Sequence, residues 1–65
     1  MSVFQERGLI NSHIDNFGRI TKKDVMDLCK CGQDHAYYLL RKMVENDELL
    51  ALGKGKATFY VRKHD

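Results

Sequence analysis

"QDHAYYLLRKMVENDELLALGKGKATFYVRK", residues 33–63, changes its hydrophobic period part-way along. In its first half Ala36, Leu39, Leu40 and Met43 recur at the i, i+3, i+4, i+7 spacing of one helical face, with Tyr37 and Val44 on the flank. Asp34, Tyr38, Arg41 and Glu45 fall opposite, with His35 and Lys42 beside them. That division predicts an amphipathic helix over about 33–46. Beyond it, residues 48–52 and 58–62 are apolar, β-branched and aromatic runs separated by a loop with two glycines, the pattern of a β-hairpin over about 48–63. Gly53 and Gly55 supply the backbone freedom a tight reversal needs. From Lys54 to Lys63 this hairpin holds four basic residues, Lys54, Lys56, Arg62 and Lys63, and no acidic one. Helix and hairpin together put the chain in the α+β class.

Working upstream, "TKKDVMDLCKCGQ" begins with Thr21 as a helix N-cap and Asp24 three residues on, a relative of the capping box. Val25, Leu28 and Cys29 point one way, with Met26 at the margin. The helix spans about 22–29 and "KCGQ" breaks it. "GRI" before it is a short extended link, and Ile20 is placed to add a third strand to the hairpin. The N-terminal "SVFQERGLINSHIDNF" predicts a helix over about 3–16. Its apolar face is Val3, Ile10, Ile14 and Phe17, flanked by Glu6 and His13, with Ser2 capping the start and Asn16 and Gly18 at the end. Phe4 and Leu9 lie off that face, as an extension of the core or a contact surface. Gly8 weakens the middle of the helix.

The expected order is helix, extended link, helix, tight turn, helix, hairpin, in one domain over residues 1–65. The second and third helices form a helix-turn-helix. A chain of 65 residues buries a modest core. Its 43% hydrophobic content is that of a folded chain rather than a disordered one. Eleven Lys and Arg against nine Asp and Glu leave a net charge of only +2, so distribution matters more than total. Asp24, Asp27, Asp34, Glu45 and Asp47 precede the basic hairpin, and a local basic surface attracts nucleic acid even on a nearly neutral chain. There is no long apolar run, so no membrane span is expected. "MSVFQERG" lacks the basic start and apolar core of a secretory signal, and Cys29 and Cys31 are too close in sequence to suit a structural disulfide. The expected compartment is the cytoplasm, or the nucleoid or nucleus if the source is eukaryotic.

With these elements in place, Arg19 to Lys63 resembles the winged helix-turn-helix superfamily. It is similar to prokaryotic and viral winged domains whose third helix reads "A-Y-x-L-L-x-K-L-V" before a glycine-rich wing; here the stretch is Ala36 to Val44, "AYYLLRKMV". Many such domains are DNA-binding tails of regulators, or of larger ATPase, helicase-like or Fic-type proteins. The resemblance implies a third helix in the major groove and a wing on the backbone or minor groove, in a transcriptional regulator. Matched by position, Gln33, Asp34, His35, Tyr38, Arg41 and Lys42 are the outward face of the recognition helix, and Lys54 and Lys56 the wing tip. Three positions depart from the pattern: Lys30 and Asp47 stand where glycines are usual, and Gly32 where a serine cap is usual. The tryptophan and prolines of left-handed-DNA readers in this superfamily are missing.

The chemistry of the side chains fits this expectation. A flexible loop that carries ammonium groups forward suits phosphate contacts, which need charge and reach more than fixed geometry. Lys22 and Lys23, at the start of the second helix, oppose its dipole and are further phosphate candidates. Gln33 can pair with adenine, Arg41 with guanine or phosphate, and Tyr38 with phosphate or sugar, with His35 beside the helix start. Against each stands the plainer role of a solvated polar surface. The alternative is a protein–protein interaction or dimerisation module of the same fold, with Phe4, Leu9, Leu50 and Tyr60 as its apolar contact face. RNA is a third partner the basic wing would suit. "CKCGQDH" brings Cys29, Cys31 and His35 close in sequence, with His13 or His64 as a fourth ligand, but zinc pairs are usually spaced more widely and no metal is expected. No nucleophile, base and acid recur at a catalytic spacing, and no phosphate-binding glycine loop precedes a helix. Neither enzymatic activity nor a cofactor is expected.

Overall fold

The computed structural model describes residues 1–64, so Asp65, the last residue of the expected domain, lies outside the described residues. Helix α1 runs Val3–Phe17, α2 Lys22–Cys29 and α3 Gln33–Glu45; strands β1, Leu49–Leu52, and β2, Phe59–Arg62, follow on either side of a short 3-10 turn, Gly55–Ala57. Three helices followed by an antiparallel hairpin make an α+β arrangement.

Each helix start has a local cause. At α1 Ser2 Oγ accepts from the Gln5 N–H while the Gln5 side chain accepts from the Ser2 N–H, a complete capping box. Thr21 and Asp24 form the same reciprocal pair at α2. Helix α3 starts at Gly32 with no side-chain cap. Gly18, at φ +86°, closes α1 by donating to the Ile14 carbonyl. Lys30 and Asp47 are left-handed without being glycine, at φ 53° and 61°. The turn conformations that glycine ordinarily supplies are therefore present, at a backbone cost.

The hairpin pairs Leu49 with Arg62, Leu50 with Val61, Ala51 with Tyr60 and Leu52 with Phe59. Ile20 exchanges two hydrogen bonds with Tyr60, of 2.9 and 2.8 Å, and so extends the sheet on the β2 side as a single bridge. All four apolar residues of the α3 face are buried, together with Ile10, Ile14, Ile20, Val25, Cys29, Leu49 and Tyr60. Burying such side chains contributes about 1.5–3 kcal/mol each, the main force holding three short helices to a two-stranded sheet.

The apolar face of α1 differs from expectation at both ends. Val3 and Phe17 are 48% and 72% exposed, because they sit on the helix's terminal residues, where the face they share by angle runs past the core. Glu6 takes a buried place instead, on one line with Ile10 and Ile14. Tyr60 and Leu9, expected on an apolar contact face, are turned the other way: Tyr60 is in the core beside Ile20, and Leu9 packs against the core's edge. Leu28, expected inward, is only partly buried against the core, as Met26 is. Among the described residues no helix is long and apolar enough to cross a membrane.

Candidate nucleic-acid interface

Ion pairing sorts the basic side chains into two groups. Arg7 pairs with Glu48, Arg41 and Lys42 share Glu45 at 3.1 and 3.8 Å, Arg62 meets Asp15 at 3.0 Å, and Lys63 meets Asp47 at 3.0 Å. Among the described residues Lys22, Lys23, Lys54 and Lys56 form no ion pair; nor does Lys30 at the far end of α2, while Arg19 lies 5.1 Å over the Phe59 ring. The basic residues of α3 and of the strand end thus each meet a carboxylate, with Arg41 and Lys42 sharing the single charge of Glu45. Those at the α2 start and the hairpin tip meet none among the described residues.

Lys22, Lys23 and Lys56 meet around an open cleft of about 740 Å³, whose walls also include Thr21, Tyr37, Gly55, Thr58 and Tyr60. The Thr21 cap fixes where α2 begins and so places Lys22 and Lys23 on its first turn. There their charges add to the positive end of the helix dipole, an unfavourable arrangement that an anion would relieve. The hairpin tip is a bonded turn rather than the flexible loop expected. The Ala57 N–H donates to the Lys54 carbonyl at 3.0 Å, and the Thr58 hydroxyl to the Gly55 carbonyl at 2.8 Å. Gly53 permits this closure: at φ +78°, a Cβ there would lie 2.5 Å from the Ala57 carbonyl oxygen. Lys54 precedes the turn, exposed and outside the cleft lining.

The residues expected to read bases from α3 are not gathered here. His35 Nε2 lies 3.0 Å from both oxygens of Glu6, a carboxylate only 4% exposed, and so ties α3 to α1. Tyr38 and Lys42 line a smaller hollow of about 190 Å³ beside Val3 and Arg7 of α1, with the Lys42 ammonium 5.9 Å over the Tyr38 ring. Arg41 is held by Glu45, and Gln33 is exposed at the first residue of α3. The aromatic side chain of α3 that faces the basic cleft is Tyr37 rather than Tyr38. Sequence reading placed Tyr37 on the flank of the apolar stripe, and only the position of α2 and the hairpin turns that flank into a wall.

The cysteine cluster comes apart. Cys29 is buried in the core, and Cys31 is partly buried with its Sγ 4.0 Å from the Val25 carbonyl. Burial, then Glu6, then Cys31 push the Cys29 thiol up, and burial followed by Glu6 pushes up that of Cys31. Both stay protonated at neutral pH and are poor nucleophiles. His35, the third residue of that cluster, is engaged by Glu6, and no group of three or more His, Cys, Asp or Glu among the described residues is placed to hold a metal ion.

A scan against protein-family models and searches of curated proteins and of solved structures found nothing that matches this chain.

Proposed function

We propose that the chain is a winged helix-turn-helix module that binds duplex DNA, as a regulator of transcription. Helices α2 and α3 are the helix-turn-helix, α3 the element for the major groove, and the β1–β2 hairpin the wing whose Lys54 and Lys56 contact the phosphate backbone. The observation that carries this reading is the sorting of charge. Each cation of α3 and of the strand end meets a carboxylate, Arg41 and Lys42 sharing Glu45, whereas among the described residues the four lysines of the α2 start and the wing tip meet none. Unpaired cations gathered around one cleft, as Lys22, Lys23 and Lys56 are, suit a polyanion partner even on a nearly neutral molecule. The test is fluorescence anisotropy of a labelled random-sequence duplex, titrated at low and high salt. Binding that collapses with added salt supports the proposal, and absence of binding at low salt refutes it.

A second reading has its own observation. On the hairpin face turned away from the core, Leu50 stands opposite Val61 and Leu52 opposite Phe59, with both leucines exposed. That face suits a protein partner or a second copy of the chain. A dimer that persists in high salt, seen by analytical ultracentrifugation and lost in Leu50→Ser, would favour it.

A further inference from the structure

We propose that the cleft between the α2 start, α3 and the hairpin holds one nucleotide, its phosphate among the Lys22, Lys23 and Lys56 ammonium groups and its sugar and base against the Tyr37 ring. This rests on the nucleic-acid reading above and adds a claim that duplex docking does not make. The volume, about 740 Å³, is far more than a lone phosphate fills and falls in the range of small-molecule sites. The lining supplies the two kinds of surface a nucleotide meets: the ammonium groups of Lys22, Lys23 and Lys56, and the phenol rings of Tyr37 and Tyr60.

The hydroxyls of the cleft point to the same ligand. Thr58 donates to the Gly55 carbonyl and Thr21 accepts from the Asp24 N–H, so both are engaged within the protein. Neither the Tyr60 hydroxyl nor that of Tyr37 bonds to another described residue, and the Tyr60 oxygen, on an otherwise buried side chain, is open to solvent. A phosphate or sugar oxygen in the cleft would accept from it in place of water. Burial first, and Tyr37 second, push the Tyr60 phenol up, which keeps it a donor at neutral pH. Tyr37, half exposed on the wall, offers a ring face. A base inside an intact duplex is stacked on both faces and cannot reach that ring, so the nucleotide must be unpaired, at a strand end, in a gap or in a single strand.

The experiment compares a fluorescein-labelled oligothymidylate with a blunt duplex of equal length, by anisotropy at low salt, with free thymidine monophosphate as competitor. Wild-type chain should prefer the single strand. Tyr37→Ala should weaken that binding by about five- to a hundred-fold, the loss typical of a removed stacking platform. Tyr37→Phe, which keeps the ring, should stay close to wild type, and Tyr60→Phe should lose about ten-fold with its donor. Competition by the free nucleotide as strong as by the strand would support the site and assign it to free nucleotides. If Tyr37→Ala binds the single strand like wild type while Lys22→Gln/Lys23→Gln weakens it, the nucleotide site is overturned and the nucleic-acid reading stands. Failure of strand, duplex and free nucleotide alike to bind overturns both. Tyr37 lies outside the core, and an unchanged thermal melt of its variants separates lost contact from lost fold.

Discussion

Two double mutants that remove the same charge from different places decide whether the unpaired lysines bind DNA. Lys22→Gln/Lys23→Gln takes two cations without carboxylate partners from the α2 start. Arg62→Gln/Lys63→Gln takes two that are held at 3.0 Å by Asp15 and Asp47. Net charge falls equally in both. Each phosphate contact contributes about 0.9 to the slope of log affinity against log salt, so losing two flattens it by about 1.8. Between about 50 and 200 mM salt that is a difference of roughly 12-fold, well within the range of an anisotropy titration. The second double mutant should leave the slope near that of the wild type. The folded state provides a control. Lys22 and Lys23 oppose the α2 dipole, and their removal should raise stability by about 0.3–1 kcal/mol each, or a few degrees in Tm for a domain of this size. Weaker binding by a protein that melts higher cannot be put down to unfolding. Equal flattening by the two mutants would refute the reasoning, because total charge and not its placement would then govern affinity.

The remaining predictions concern what the fold costs. Lys30→Gly and Asp47→Gly each relieve a left-handed residue; set against the extra chain entropy of glycine, each should gain roughly 0.5–1 kcal/mol in urea unfolding. Gly53→Ala puts a Cβ 2.5 Å from the Ala57 carbonyl oxygen and should destabilise by more than about 1 kcal/mol, whereas Gly8→Ala meets nothing within 4 Å in mid-helix and should stabilise by about 0.5–1 kcal/mol. His35→Ala leaves the Glu6 carboxylate buried without its partner and should cost about 1–3 kcal/mol by thermal or urea melts, with salt-dependent DNA affinity unchanged.

The elements themselves were largely legible because their causes are local. The Ser2–Gln5 and Thr21–Asp24 capping pairs, the α3 stripe and the glycine-bearing hairpin are set by residues three or four apart, or by a short turn. What failed was longer in range. Val3 and Phe17 have the correct helical angle for burial, and angle says nothing about where the neighbouring elements stop. Tyr60 has the composition of an exposed strand residue until Ile20, forty positions earlier, pairs with it and turns it inward.

The outward face of α3 shows both ranges of interaction. Along the chain His35, Arg41 and Lys42 are polar residues on the exposed side of a helix, indistinguishable from residues waiting for a ligand. Glu6 arrives from α1 to meet His35, a pairing sequence does not reveal, whereas Glu45 meets Arg41 and Lys42 from three and four residues along the same helix, a spacing that is legible. Partners of 41 to 47 residues' separation likewise engage Arg7 and Arg62. Setting aside the ion-paired cations leaves Arg19, Lys30 and the four lysines the sequence nominated at the α2 start and the hairpin tip. Of these, Lys22 and Lys23 stand against the helix dipole, and a bonded turn brings Lys56 to the same cleft. Like charges gathered there raise the energy of the empty protein. On the proposed reading, an anion bound between them would recover that energy, so the same lysines would set both affinity and the cost of gathering them.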